Sequence, residues 1–407
     1  MVTVAEPNKR VGESRKSVVN SFGQVRQWFS GSVSGDLNQR LRVLVFAFLV
    51  ELALNTVSFT VPLYAQALHA SQALIGLIGA AYGLSYVFTA MFSPRLYERI
   101  GQRHALLFSL ACYTAIISLY LVVRDPYLFF FTRLAEGVAL GVFWPLADTV
   151  PSTRQGATSS MVPWYNTGWS TAALTAPFSA GYLIAMLGLR APFVSALLME
   201  LTELFFVYRY ISMPRQPRLK TGRLGLNFTR PLLDEVALPA YTSAFVSSVI
   251  LTLYPAYLAK AGLAYILIGV LVGSAGTSRT AMFVLSNRIQ KLVNGNRLTA
   301  LGYLCSSFIA VASVTTNATA QLLTMILVGM GWGTLFHSAL TNALSTGNTA
   351  MKTGLLETSL GAGFFTGPLL GAAVSVFNPN YVYIFTAFLP IGYLATSAGH
   401  RARLKPS

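Results

Sequence analysis

The feature that most constrains this chain is a succession of apolar segments, each about long enough to cross a lipid bilayer. A membrane-spanning helix needs about 20 consecutive, mostly apolar residues. The chain has 407 residues, of which 54% are hydrophobic and only 10% charged, whereas soluble proteins carry about 25% charged residues. The segments also lack the period-two alternation of membrane-spanning strands. We therefore predict an all-α integral membrane protein.

Twelve such segments form two groups of six, which predicts two six-helix bundles. The predicted spans of the first group are 43–65, 72–92, 104–123, 127–148, 161–187 and 191–211. Those of the second group are 236–259, 264–285, 298–316, 320–344, 352–376 and 381–399. The predicted domains are an N-terminal arm (1–40), a first bundle (41–211), a polar linker (212–235), a second bundle (236–399) and a tail (400–407).

The basic residues predict how the chain is oriented. The net charge is +16, but the charges cluster in alternate connectors, so they indicate membrane topology and not nucleic-acid binding. If the N-terminus is cytoplasmic, the outer connectors hold only Arg124, Arg190 and Lys260 of the 29 lysines and arginines. Because positive charge accumulates on the cytoplasmic side, we expect both termini in the cytoplasm and the protein in the plasma membrane.

The two groups of six segments resemble each other in sequence. The matching pairs are PLYAQALHASQALIGLIGA (62–80) over PAYLAKAGLAYILIGVLVG (255–273), EGVALG (136–141) over VGMGWG (328–333), and TAPFSAG (175–181) over TGPLLGA (366–372). Three matches in the same order, at separations of 191 to 193 positions, indicate a duplicated six-helix unit. Parallel repeats of this kind occur in transporters, where the substrate site lies near the midplane between the halves.

The connector SPRLYERIGQRH (93–104) resembles the signature connector of the major facilitator superfamily, G-x-L-x-D-R-x-G-R-R. The positions that match it or replace it conservatively are Leu96, Glu98, Arg99, Gly101 and Arg103. Pro94 and Gln102 depart from the pattern. The resemblance implies the fold of that superfamily, with two pseudo-symmetric six-helix bundles. It also implies a cytoplasmic gate in which Glu98, Gly101 and the two arginines act together with Asp148, at the end of the fourth span.

Two further segments resemble motifs of the same superfamily. FTRLAEGVALGVFWP (131–145) resembles its fourth-span motif, whose arginine is implicated in proton coupling. YNTGWSTAALTAPFSAG (165–181) resembles the fifth-span motif typical of antiporters, and GLLETSLGAGFFTGPLLG (354–371) repeats it in the second half. Small residues permit close helix packing. The predicted packing residues are Gly137, Gly141, Pro177, Gly181, Gly367, Pro368 and Gly371.

Polar residues inside spans are functional candidates, because an ionisable group there costs about 2.5–3.5 kcal/mol on insertion scales. The predicted coupling or substrate residues are Glu51, Asn55, Arg133, Glu136, Asn166, His337 and Glu357. An acid at Glu51 resembles the proton and cation site of drug/proton antiporters, with a structural hydrogen bond as the alternative. Arg133 and Glu136 are predicted to pair, either for coupling or for structure. His337 has a structural alternative, and Glu357 faces either the cavity or a second gate.

Other residues within spans are predicted to have lesser roles. Arg279 is expected to lie close enough to the end of its span to reach the membrane surface, and Glu200 and Glu203 to meet helix or lipid partners. Aromatic side chains suit bulky or cationic ligands, with helix packing as the alternative. The aromatic candidates for the cavity are Tyr82, Tyr86, Trp144, Trp169, Tyr254 and Tyr257.

The motifs argue against an enzyme and for a transporter. The sequence has no G-x-x-x-x-G-K-[ST] loop for ATP, and Cys112 and Cys305 lie in apolar segments without metal-ligand spacing. We expect no cofactor and no metal. The expected function is that of a monomeric secondary transporter, which moves a small-molecule substrate by alternating access, with protons as the coupling ion and export of an amphipathic or cationic compound. The alternative is an uptake symporter or facilitator for a polar nutrient such as a sugar or organic acid.

Overall fold

The structure, a computed structural model, describes residues 33–150, 158–211, 234–315, 317–345 and 349–403. The predicted arm, linker and tail therefore lie mostly outside the described residues. The helices of the first half are α1 (Val33–Ala67), α2 (Gln72–Ile100), α3 (Gln102–Val122), α4 (Pro126–Ala147), α5 (Thr158–Leu187) and α6 (Ala191–Tyr210). The second half has α7 (Ala237–Thr252), α8 (Tyr254–Lys260), α9 (Tyr265–Leu292), α10 (Gly295–Ser307), a 3₁₀ helix (Phe308–Ser313), α11 (Ala318–Ser345), α12 (Thr349–Ser375) and α13 (Tyr381–Arg403).

The prediction of an α-helical membrane protein is confirmed. In the described ranges, nine helical segments are long and apolar enough to cross a membrane, and no strand occurs. The count of twelve spans stays a prediction. The predicted span 236–259 is interrupted at Leu253, because Pro255 near the start of α8 has no N–H to continue the helical hydrogen bonding. The predicted span 298–316 is a short α-helix that continues as a 3₁₀ helix.

Local turn chemistry sets several helix ends. The Ser71 side chain accepts a hydrogen bond from the Leu74 N–H at the start of α2, at 3.1 Å. Asp125 caps α4 in the same way. Between α2 and α3, Gly101 has a φ of 83°, a conformation that glycine adopts without the strain of a side chain. The turn glycine of the predicted gate connector is thus placed where the chain reverses.

Each half is a helical bundle with its own packed interior. In the first half, α1 lies against α5 and α6, and α4 packs between α2 and α3. In the second half, α12 packs on α7 and α11 on α9. We call the end at which α2 meets α3 the basic end, since the exposed residues Arg42, Arg95, Arg103 and Arg209 lie there. The end at which α1 meets α2 is the opposite end.

The halves touch most extensively through two helix pairs, α2 with α12 and α5 with α9, and α1 and α2 also contact α7 and α8. A Cβ atom added at Gly76 would lie 2.7 Å from the carbonyl oxygen of Pro368, and one added at Gly269 would lie 2.5 Å from that of Pro177. In the sequence repeat, Gly76 corresponds to Gly269 and Pro177 to Pro368. The same backbone contact is therefore made twice by equivalent residues, both times towards the opposite end.

An ion pair joins the start of α7 to the start of α12 at the basic end. Lys352 Nζ donates to Asp234 Oδ2, and the Val236 N–H donates to Asp234 Oδ1 at 2.8 Å. Burial alone would raise the pKa of Asp234, but the hydrogen bonds from Lys352 and Val236 outweigh it and hold the pKa below its ordinary value. This pair links two helices of the same half.

Candidate substrate and coupling site

Glu51 lies in the middle of α1 and faces the space between the halves. Its side chain is only 5% exposed, and within the described residues its Oε2 atom has no hydrogen-bond partner. Asn55, one turn further along α1, donates to the Glu51 backbone carbonyl at 2.8 Å. The carboxyl interacts electrostatically with Arg279 of the second half and with Asp148 at the end of α4. Among the described residues, Glu51 is thus a buried acid without a direct ionic partner, next to charges of both signs.

Arg279 of α9 lies between two tryptophan rings in the same region. Its guanidinium carbon is 4.7 Å from the ring centroid of Trp169 on α5 and 4.3 Å from that of Trp332 on α11. The side chain is 4% exposed, and its Nε and Nη2 atoms have no hydrogen-bond partner in the part of the chain that is described. Such stacking stabilises a guanidinium by about 0.5–2 kcal/mol. Because Trp169 belongs to the first half, this cluster bridges the two halves.

The prediction that Arg279 reaches the membrane surface is wrong. Arg279 is 4% exposed and lies against Trp169 and Trp332, so its guanidinium is inside the protein and does not extend to the membrane surface. Trp332 was not a sequence candidate at all. The signal that could have indicated Arg279 is the presence of a guanidinium inside an apolar span, which is functional by default.

Arg133 and Glu136 form the predicted pair, inside the first half. Arg133 Nη1 donates to Glu136 Oε1 at 2.7 Å, and the hydroxyl of Tyr120 donates to Oε2 at 2.9 Å. The Arg133 guanidinium also lies 4.7 Å from the ring centroid of Tyr82. Since both carboxylate oxygens are occupied and Glu136 is fully buried, the geometry is that of a locked ion pair.

Three polar candidates are exposed on the two halves, towards the basic end of the predicted cavity. Asp148, Asn166 and Glu357 are all exposed, and Asp148 Oδ1 accepts a hydrogen bond from the Tyr165 hydroxyl at 2.9 Å. Glu357, on α12, interacts electrostatically with Asp148 and with Tyr86 of the first half. Acidic groups of both halves, Asp148 and Glu357, therefore lie close enough to interact, near the basic ends of their helices. In the described ranges no group of three or more His, Cys, Asp or Glu residues could hold a metal ion.

The residues of the predicted gate are apart in this conformation. Glu98, Arg99 and Arg103 are exposed at the basic end. Arg103 donates to the backbone carbonyl of Tyr208 at 2.9 Å, and among the described ion pairs none joins Asp148 to an arginine. The gate at this end therefore stays a prediction.

The aromatic candidates divide between the cavity and the packed core. Tyr82 and Tyr86 are half-buried and stack with ring centroids 5.9 Å apart, and Trp144 packs edge-on against Phe143. The structure corrects the prediction that Tyr254 lines the cavity. Tyr254 is fully buried in the second half, where its hydroxyl donates to Gln321 Oε1 at 2.7 Å.

Tyr257 also belongs to the packing of the second half. Its ring centroid lies 5.0 Å from that of Tyr383, which is itself buried. His337 is half-buried, with Nε2 3.4 Å from the Thr341 hydroxyl one turn along the same helix. This placement favours the structural alternative for His337 and the packing alternative for Tyr257.

Glu200 and Glu203 are buried on the face of α6 that packs against its own half. Both are 0% exposed, and within the described residues none of their carboxyl oxygens has a hydrogen-bond partner. Glu200 interacts electrostatically with Tyr113 of α3. They therefore face neighbouring helices and neither lipid nor the cavity.

The predicted packing glycines all lie at close helix contacts. Gly137 and Gly141 approach the backbone of α2, Gly367 and Gly371 approach α7 and the residue that follows it, and Gly181 approaches the start of α9 in the other half. Added Cβ atoms at these positions would lie 2.1–2.9 Å from their nearest neighbours. The second and fourth helices, and the halves themselves, therefore approach closely only because side chains are absent.

Comparison with known proteins identifies the architecture. The family model for the Major Facilitator Superfamily matches residues 43–348. The solved structure of the nucleoside transporter NupG superposes with a TM-score of 0.68 at 14% identity, covering 90% of this chain and 100% of that one. The POT family transporter PepTSo superposes with a TM-score of 0.71 at 12% identity, covering 90% and 99%. These similarities support the fold.

The curated relatives are named for drug resistance or drug efflux. Multidrug resistance protein 2 of Bacillus subtilis is 23% identical over 84% of this chain and 90% of that protein. The multi-drug resistance efflux pump PmrA of Streptococcus pneumoniae is 25% identical over 82% and 89%. Quinolone resistance protein NorA of Staphylococcus aureus is 23% identical over 91% and 99%. The similarity to each extends over nearly the full length of both chains.

Proposed function

Since the chain belongs to the Major Facilitator Superfamily, we propose that it exports amphipathic or cationic small molecules in exchange for protons, with Glu51 as the proton-binding group. That the chain is a secondary transporter and not an enzyme follows from the family and from relatives that are efflux pumps. Proton exchange, the coupling residue and the chemical nature of the substrate are the proposed parts.

The observation that carries the proposal is the buried carboxyl of Glu51 between the two halves. Its Oε2 atom has no partner among the described residues, so the acid is available to a proton or to a cationic group. An ionised carboxyl in a poorly solvated place is costly without a partner. Binding either a proton or a cationic group therefore stabilises Glu51. A single carboxyl can bind only one of them at a time.

Arg279 strengthens the competition between a proton and a cationic substrate for Glu51. With Glu51 ionised, its negative charge balances the positive charge of the Arg279 guanidinium. With Glu51 protonated, that balance is lost and Arg279 repels a cationic substrate more strongly, because Coulomb interactions are strong where water is scarce. Proton binding and cation binding then oppose each other, as antiport requires.

The proposed orientation puts the basic end in the cytoplasm of the cell, with the protein as a monomer in the plasma membrane. Positive charge at that end supports this orientation. The halves touch near the opposite end, and Asp148, Asn166 and Glu357 are exposed towards the basic end. The conformation is then inward-open, the state in which an exporter takes up its substrate. Arg133 and Glu136 serve as a locked pair that holds the first half together.

The test uses purified protein in liposomes with an imposed pH gradient. An acidic lumen should drive accumulation of tetraphenylphosphonium, a lipophilic cation, by the unaltered protein. Glu51→Gln should lower this accumulation by about tenfold or more, while exchange of labelled for unlabelled cation without a gradient continues. Glu235→Gln, which alters an exposed acid outside the spans, is the matched control and should pump normally.

Two outcomes would contradict the proposal. Normal gradient-driven pumping by Glu51→Gln would remove Glu51 from the coupling step. Transport of a sugar or an organic acid, indifferent to Glu51 and without transport of lipophilic cations, would favour the alternative of a nutrient symporter or facilitator.

A further inference from the structure

A groove lies on the outer surface of the first half, away from the cavity, where α1 and α6 meet at the basic end. Its volume is about 390 Å³. The residues that line it are Asn38, Leu41, Arg42 and Val45 of α1, with Phe206 and Tyr210 of α6. By length and composition, the candidate span in α6 ends at Tyr210 and that in α1 begins at Leu37. The groove therefore lies at the level where hydrocarbon gives way to lipid headgroups.

The rim of the groove carries concentrated positive charge. The guanidinium carbon of Arg42 lies 5.2 Å from the ring centroid of Tyr210, and that of Arg209 lies 5.4 Å from the same centroid. Two like charges around one ring repel each other unless an anion lies near. Over the described ranges, the ion pairs between side chains are Arg133–Glu136 and Lys352–Asp234, so neither Arg42 nor Arg209 has a carboxylate partner there.

The floor of the groove is apolar and continues into the lipid-facing surface. Leu41, Val45 and Phe206 are its apolar lining residues. Further along α6, towards the membrane centre, Phe205 is 64% exposed and Leu198 60% exposed. One occupant with an anionic head and an apolar tail would satisfy the rim and the floor together.

We propose that this groove is a binding site for an anionic phospholipid of the leaflet at the basic end. The lipid phosphate lies between Arg42 and Arg209, with the Asn38 side chain as a further hydrogen-bond donor, and an acyl chain runs down along Val45 and Phe206. Basic pockets between spanning helices are known to bind anionic headgroups. Tyr210 suits this boundary, since its ring is apolar and its hydroxyl is polar. The proposal does not depend on the transported substrate or on proton coupling.

The test measures lipid binding to the full chain in detergent, by native mass spectrometry and by thermal stability. Phosphatidylglycerol should bind and raise the melting temperature more than phosphatidylcholine, and the difference should shrink at high salt. The double variant Arg42→Gln with Arg209→Gln should bind phosphatidylglycerol roughly 30-fold more weakly, which corresponds to about 2 kcal/mol from two basic residues near a membrane surface. Arg95→Gln is the matched control, because Arg95 is also exposed at the basic end and lies over an aromatic ring, Phe92, at 5.3 Å.

Several results would overturn the proposal. One is equal stabilisation by the anionic lipid and phosphatidylcholine, and another is an effect of Arg95→Gln as large as that of the double variant. Protection by soluble glycerol phosphate as strong as by the lipid would identify a simple anion site. If the glutamine variant does not fold, the double variant Arg42→Lys with Arg209→Lys replaces it. This variant keeps both positive charges and should still bind anionic lipid. Its failure to bind would count against the site.

Discussion

The contact between α5 and α9 allows the closure of the opposite end to be tested by adding a single methyl group. In Gly269→Ala the new Cβ would lie 2.5 Å from the Pro177 carbonyl oxygen and 3.2 Å from the Gly181 Cα atom. Real Cβ contacts shorter than 3.0 Å are essentially never observed, so the two helices must separate by at least about 0.5 Å, the difference between 3.0 and 2.5 Å. The neighbouring atom is a backbone oxygen, so the clash cannot be relieved by a change of side-chain conformation.

The cost falls on one conformation only. Overpacking of this kind costs about 1–3 kcal/mol, and in a conformation whose opposite end is open the two helices no longer touch here. The ratio of the present conformation to that alternative should therefore fall roughly 5- to 150-fold. The equivalent change Gly76→Ala, against Pro368, should act in the same direction.

The assay is double electron–electron resonance between two spin labels at the basic end. Arg95→Cys on α2 and Arg288→Cys on α9 place exposed labels on different halves, with Cys112 and Cys305 replaced by serine. The unaltered backbone should give mainly long distances, and Gly269→Ala should add a short-distance population as the basic end closes.

Two control variants separate closure from general damage. Gly392→Ala has open space at its Cβ and should leave the distances unchanged. Gly363→Ala introduces a clash at 2.6 Å with the Tyr241 carbonyl oxygen inside the second half, and should lower the melting temperature without redistributing distances. An unchanged distance distribution in folded Gly269→Ala would refute the reasoning.

Three further predictions concern buried and paired charges. Glu136→Gln leaves Arg133 as an uncompensated buried charge, so the free energy of unfolding should fall by about 3–5 kcal/mol, and a smaller loss than 1 kcal/mol in thermal or denaturant unfolding would contradict the locked pair. Asp234→Asn should cost about 1 kcal/mol or less at neutral pH. The folded-state pKa of Asp234 is lowered, so its contribution to folding stability is present above the ordinary pKa and is lost as the pH falls through the lowered value. The melting temperatures of the variant and the parent should therefore converge in acid. Glu200→Gln and Glu203→Gln should each change stability by about 1 kcal/mol or less, since no cation meets these buried carboxyls among the described residues, and a loss of several kcal/mol would indicate an ionic partner.

Features that depend on neighbouring positions could be predicted from the sequence. Arg133 and Glu136 are three residues apart on one helix, where side chains meet, and the structure pairs them. Gly101 separates two apolar segments, so a sharp reversal there follows from the chain alone. The repeated six-helix pattern likewise predicts the fold, because apolar length is sufficient to assign a span.

Features that depend on packing between distant helices could not be predicted. The environment of Arg279 consists of residues from α5 and α11, and nothing in the local sequence indicates which rings will meet it. Tyr254 is of a residue type that suits a cavity, but its hydroxyl donates to Gln321 in its own half. In an apolar span, the sequence does not show which face of the helix an aromatic residue occupies, so this contact could not be predicted. Whether the basic end is open or closed depends on the arrangement of the halves, and the sequence is compatible with either state.

The paired contacts of Gly76 with Pro368 and of Gly269 with Pro177 have the pattern of an isologous interface, in which residue i of one unit meets residue j of the other and the reverse holds as well. Such an interface is what a twofold-symmetric homodimer requires. A single six-helix unit with this glycine and this proline could therefore associate with a second copy of itself through the same two backbone contacts. Joining the two copies in one chain keeps that symmetry at the interface. Glu51 and Arg279, in contrast, each occur in one half only. The interior has therefore become asymmetric, although the contacts that close the opposite end are still those of a symmetric dimer.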